Sequence, residues 1–172
     1  MTKTRTNPTA KAEFVVSRVF AATQERVYHA WTKPKQMAQW WGPETFTNPV
    51  CDLDVRPGGA YRIVMRSPEG EDYPLKGVFR RVTGPQRLVM TMDCSEHPAA
   101  WHDLVDPKRK GNPNPAGEME MTASFGKLKA RTKLTIRIGF KSAALRDRFL
   151  KMGMKEGWSE SLDRLRALLA KT

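Results

Sequence analysis

Residues 118–138 read EMEMTASFGKLKARTKLTIRI, and this stretch decides the fold. Met119, Met121, Ala123 and Phe125 share one parity, while Glu118, Glu120, Thr122 and Ser124 share the other. Farther along, Leu128, Ala130, Thr132, Leu134, Ile136 and Ile138 face one way, and Lys127, Lys129, Arg131, Lys133 and Arg137 face the other. Successive side chains of a strand point to opposite faces, so the pattern predicts an antiparallel pair with one face in the core and a basic stripe in water. The turn falls at Gly126-Lys127 or near Lys129, and both registers keep the apolar faces together. Either one lets Glu118 or Glu120 approach a basic residue across the strands.

The chain next needs something to cover that apolar face. From Ser142 onward, Met154, Trp158, Leu162, Leu165 and Leu169 recur at three- and four-residue steps, which predicts one long amphipathic helix. Gly153 and Gly157 weaken its middle by about 1 kcal/mol each relative to Ala, and mark a kink or a close approach. Upstream, Glu13 to Phe20 reads as a strand, Thr23 as a helix N-cap, and Pro34 as the start of a second short helix that ends at Gly42-Pro43. Cys51, Leu53 and Val55 alternate with Asp52 and Asp54, and Tyr61, Ile63 and Met65 alternate with Arg62, Val64 and Arg66. Two more strands run from Leu75 to Val82 and from Arg87 to Cys94. The Arg56-Pro57-Gly58-Gly59 turn lacks the lysine and hydroxyl residue of a phosphate loop, and a hairpin turn explains it. Residues 95–117 hold four prolines, two glycines and Lys108-Arg109-Lys110, and read as a long loop or lid.

The expected architecture is α+β: a curved antiparallel sheet of about six to seven strands wrapped around a long C-terminal helix, with two short helices after the first strand. Residues 1–12 form a disordered lead, and residues 13–170 form a single domain.

Composition narrows the function classes. The formal net charge is +12, and residues 127–172 carry 13 Lys or Arg against 4 Asp or Glu. No aromatic residues interleave with the charges of the Lys127–Arg137 stripe, so a specific nucleic-acid partner is not expected; a weak acidic partner is. No apolar run reaches the ~20 residues of a membrane helix, and the N-terminus lacks the apolar stretch of a signal peptide, so no membrane association is expected and the cytoplasm is the expected location. Cys51 and Cys94 match no zinc or redox spacing, and no cofactor is implied.

Five ordered motifs carry a resemblance. They are Arg18-Val19-Phe20 with Val27 to Trp31; Gln39-Trp40-Trp41-Gly42-Pro43; Arg56 to Arg62; Gly77-Val78-Phe79 with Arg87-Leu88-Val89; and Thr132 to Thr135 with Gly157-Trp158 through Leu165. Together they resemble the SRPBCC superfamily, in the branch named after the activator of the heat-shock protein 90 ATPase. The resemblance implies a helix-grip, START-like fold with an internal hydrophobic cavity. Its relatives include lipid carriers, polyketide cyclases and chaperone-binding domains, so the fold alone names no function.

A cavity on the inward parity would be lined by Tyr61, Met65, Phe79, Met90, Met121 and Leu134, with Trp40, Phe46, Met154 and Trp158 from the helices and loops and Trp101 and His102 folding over from the long loop. These twelve are the expected ligand contacts. Trp41 reads as a packing anchor. The Tyr61 hydroxyl is placed to orient a polar group in an apolar pocket. Cys94, His97, His102 and Asp103 cluster in sequence but fit no metal spacing, so no metal site is expected. No serine, histidine and acid set marks a nucleophile, and no catalytic residue is assigned. The expected function is binding of a small apolar or aromatic molecule. A cyclase- or hydrolase-type enzyme using Tyr61, His102 or Asp103 is the alternative, and a co-chaperone-like protein-binding module the next. A homodimer is left open.

Overall fold

A computed structural model describes residues 12–171. The expected lead at residues 1–12 lies outside the described residues except for Ala12, which begins the first strand. The order is β1 (Ala12–Phe20), α1 (Gln24–Thr32), α2 (Pro34–Trp40), β2 (Thr47–Leu53), β3 (Ala60–Arg66), β4 (Asp72–Thr83), β5 (Arg87–Met92), α3 (Ala99–Val105), β6 (Met119–Leu128), β7 (Arg131–Phe140), α4 (Ala143–Lys151) and α5 (Met154–Ala170).

All seven strands join one antiparallel sheet in the order β1-β7-β6-β5-β4-β3-β2. β1 and β2 are neighbours in sequence but stand at opposite edges, so α1 and α2 carry the chain from one edge to the other. A register shift between Phe79 and Arg81 in β4 adds curvature. At Gly77 a Cβ would sit 2.1 Å from the Thr91 carbonyl oxygen, so only glycine lets β4 and β5 approach this closely. The fold is the expected helix grip: α5 packs against β1, α1, α2 and α4 on the inner side of the sheet.

The β6–β7 hairpin turns at Lys129-Ala130, because Leu128 pairs with Arg131 and Lys129 takes a φ of 55°. The inward set Met119, Met121, Ala123, Phe125, Leu134, Ile136 and Ile138 is buried, whereas Leu128 and Ala130 at the tip are exposed. Glu118 and Glu120 both reach Arg80 of β4, at 2.9 and 3.4 Å, and Arg137 of the stripe pairs with Glu13 of β1 at 3.1 Å.

Helix starts follow their caps. The Thr23 side chain accepts from the Arg26 amide and the Ser142 side chain from the Leu145 amide, while Pro34 opens α2. The expected single C-terminal helix is two. Gly153 adopts a φ of 90°, and the Met152 amide donates back to the Arg148 carbonyl; this left-handed stop ends α4 and lets α5 leave in a new direction. The segment 95–117, expected as a loop, carries α3. Among the described residues, no helix is long and apolar enough to cross a membrane.

Candidate functional site

The helix break opens a space at one end of the grip. A cavity of about 260 Å³ lies between the sheet and the α4–α5 elbow. Its sheet wall is Met65, Leu75, Met92, Met119, Ile138 and Phe140. Its helix wall is Phe149, Met152, Met154, Gly157, Trp158 and Ser161, and its rim is Trp41, Gly42 and Pro43 on one side and Cys94, His97 and Trp101 on the other. None of these lining residues carries a formal charge. Five of the chain's nine methionines stand here, giving a wall that adapts its shape.

The rim is built deliberately on both sides. The Arg164 guanidinium of α5 donates to the carbonyls of Gln39, Trp41, Gly42 and Pro43 at 2.9–3.1 Å, and the Asn48 amide donates to Trp41 and Ala38. Partial burial holds the Arg164 pKa below its usual value, yet four carbonyls gathered on one guanidinium keep it solvated by protein. Gly42 takes a φ of 92°, and a Cβ there would meet the Met65 sulfur at 2.8 Å, so glycine lets the loop close over Met65. Trp41 packs edge-on against Trp158 at 5.5 Å, and Trp158 stacks parallel to Trp31 at 6.5 Å.

On the other side, α3 lays Trp101 edge-on against both Phe149 and His97, at 5.6 and 4.3 Å. Arg109 fixes this segment by pairing with Asp103 at 2.7 Å and donating to the Asn112 carbonyl, while Lys141 donates to the Pro115 carbonyl. Both ring nitrogens of His97 are shielded from solvent and have no hydrogen-bond partner among the described residues. Burial, reinforced by nearby His102, pushes the His97 pKa down to about 4, so its ring is neutral at pH 7. Burial pushes the Cys94 thiol up to about 12, which leaves it a weak nucleophile.

Of the twelve expected contacts, the structure brings Met65, Trp101, Met154 and Trp158 to the cavity wall. The other eight stand elsewhere. Trp40 is fully buried in the core and donates its indole N–H to the Ala30 carbonyl at 2.8 Å, so Trp41 takes the rim position instead. Phe79, Met90, Met121 and Leu134 have the correct parity but lie deeper along the sheet, in solid core. Tyr61 is buried, and its hydroxyl is spent on the Thr91 carbonyl; the ring borders a separate depression with Pro34, Cys51 and Arg62. Phe46 packs on Tyr73 at 5.9 Å, outside the cavity. His102 lies on the buried face of α3 and does not line the cavity, with Nε2 3.3 Å from the Ser95 carbonyl oxygen. With Tyr61 and His102 away from the cavity and Asp103 exposed and held by Arg109, the expected enzymatic trio does not converge. Among the described residues, no three His, Cys, Asp or Glu side chains gather at a metal-sized site. Sequence reasoning missed His97 as a lining residue. Its four-residue step to Trp101 was the available signal.

The family described as activator of Hsp90 ATPase homolog 1-like protein matches residues 21–170. A crystal structure from Nitrosomonas europaea superposes with a TM-score of 0.76 at 24% identity, covering 96% of this chain and 97% of that one. A solution structure from Arthrobacter aurescens gives 0.75 at 26% identity over 93% and 87% of the two chains. A Silicibacter pomeroyi protein described by the same family name gives 0.71 at 24% identity over 92% and 98%. No curated protein matches the sequence.

Proposed function

The chain belongs to the activator of Hsp90 ATPase homolog 1-like family, and from that premise we propose that it binds a small apolar molecule between the sheet and the α4–α5 elbow. The observation that carries this reading is the wall itself: a hollow of about 260 Å³ whose lining is dominated by Met, Trp, Phe, Leu and Ile side chains without a formal charge. Burying a ligand's apolar surface there contributes about 25 cal/mol per Å², so a bicyclic aromatic gains several kcal/mol before its ordering cost. The space fits a molecule of one or two rings. The methionine walls suit ligands of varied outline.

Binding is measured through Trp41, Trp101 and Trp158, which stand on the cavity wall and report occupancy by fluorescence. A panel of fatty acids, flavonoids and bicyclic aromatics, titrated against ligand-free protein and followed by native mass spectrometry, should give one-to-one complexes with at least one class. Failure of every class at millimolar concentration would end this reading.

A further inference from the structure

Resting on that reading, we infer that the ligand is uncharged and carries a hydroxyl or carbonyl group that hydrogen-bonds to His97 at the cavity rim. The first observation is what the wall lacks. No lining residue supplies a formal charge, so an ionised carboxylate or ammonium entering it sheds water without meeting a counter-charge. The second is what the wall has to spare. His97 borders the cavity with both ring nitrogens buried and, among the described residues, unpartnered. Buried polar groups are nearly always hydrogen-bonded, and one imidazole with two free nitrogens in an apolar setting needs an explanation.

The surroundings fix what the imidazole can do. Tyr73 and Trp101 hold the ring edge-on at 5.4 and 4.3 Å, and the ionisable neighbours that act on it are His102 and Asp93. The ring stays neutral at pH 7, so one nitrogen donates and the other accepts. A phenol or enol can donate a hydrogen bond to the acceptor nitrogen, and a ketone can accept one from the N–H. A carboxylate could accept from the same N–H, but it would shed its water without a counter-charge, because burial disfavours the imidazolium that would supply one. The polar end of the ligand therefore points to α3, with its apolar body against Met119, Ile138 and Trp158.

Three probes of nearly one shape separate the claims: naphthalene, 2-naphthol and 2-naphthoate, titrated at pH 7.5 by tryptophan fluorescence. The expected order is naphthol tightest, naphthalene roughly tenfold weaker for want of one buried hydrogen bond, and naphthoate weaker than naphthalene. His97→Leu should bring naphthol level with naphthalene, and His97→Gln, which keeps a donor and an acceptor, should keep most of the preference. Circular dichroism checks that each variant folds; if His97→Leu does not, the wild-type order and His97→Gln decide the matter. Equal binding of naphthol and naphthalene to the wild type, or tightest binding of naphthoate, overturns the role of His97 while leaving the cavity reading intact. Failure of all three probes with the wild type overturns this inference, and failure of the fatty acids and flavonoids as well overturns the cavity reading.

Discussion

Substitution of Gly157 tests whether the space beside α5 is real and is the binding site. Gly157 lies in the first turns of α5 and on the cavity wall, and a Cβ built there meets nothing within 4 Å beyond its own helix backbone. Its backbone is not in the left-handed region, so any L-residue fits. Gly157→Ala removes the cost of glycine in a helix, about 1 kcal/mol, and should raise Tm by roughly 2–4 °C for a domain of this size. Gly157→Leu gains a similar propensity and drives a branched side chain into a hollow of about 260 Å³, burying apolar surface that is otherwise unoccupied. Thermal unfolding followed by circular dichroism, with naphthol titration of the same samples, gives the answer. The Ala variant should bind within about threefold of wild type. The Leu variant should be at least as stable as wild type and bind more than tenfold more weakly. A Leu variant that binds normally would show that the ligand sits elsewhere. A Leu variant destabilised by about 2 kcal/mol would show that the hollow is already filled.

Other perturbations read separate parts of the structure. Arg164→Leu strips the donors from four carbonyls of the Trp41 rim; about 3 kcal/mol of stability and roughly 6–12 °C of Tm should be lost, and Arg164→Lys should recover less than half, as seen by denaturant and thermal unfolding. His97 is held neutral with a pKa of about 4 when folded, below its usual 6.5. The unfolded chain therefore binds the extra proton first: this contribution is complete above pH 6.5 and falls by about 2–3 kcal/mol as pH drops toward 4, a decline that urea midpoints should show and that His97→Gln should remove. Glu96, held near 2 by hydrogen bonds from Arg62 and Lys76, has the opposite chemistry but the same sign; its contribution persists above about pH 4.5 and fades toward 2, so Glu96→Gln should flatten the stability profile in that lower window alone. Gly77→Ala places a Cβ 2.1 Å from the Thr91 carbonyl oxygen and should leave little soluble folded protein, in contrast to Gly157→Ala.

Much of the fold is legible in residues 118–138 and 154–169, because a half-buried strand and an amphipathic helix must each repeat with the period of their geometry. Parity names the face of a strand but not the end of the sheet where the helix lifts away. That is why Met121 and Leu134, sharing a face with Met119 and Ile138, are core rather than cavity wall. The elbow itself hangs on Gly153 and its φ of 90°, and a glycine in a helical pattern reads equally as a kink or as a packing contact. Trp40 and Trp41 differ by one position at the end of α2, and only the three-dimensional exit of the chain sends the first indole to the Ala30 carbonyl and the second to the rim. α3 was hidden among prolines, although Pro98 immediately precedes its first turn, where proline does no harm. His97 was visible as a residue but not as a lining residue, since its two unsatisfied nitrogens are a property of the packed chain.

A crystal structure of the protein with 6-bromo-2-naphthol, phased at the bromine edge, tests the central claim most directly. The anomalous peak should lie between Met119 of β6 and Trp158 of α5, with the naphthol oxygen within hydrogen-bond distance of a His97 ring nitrogen. A peak confined to the protein's outer surface, with the hollow closed by its own side chains, would contradict it.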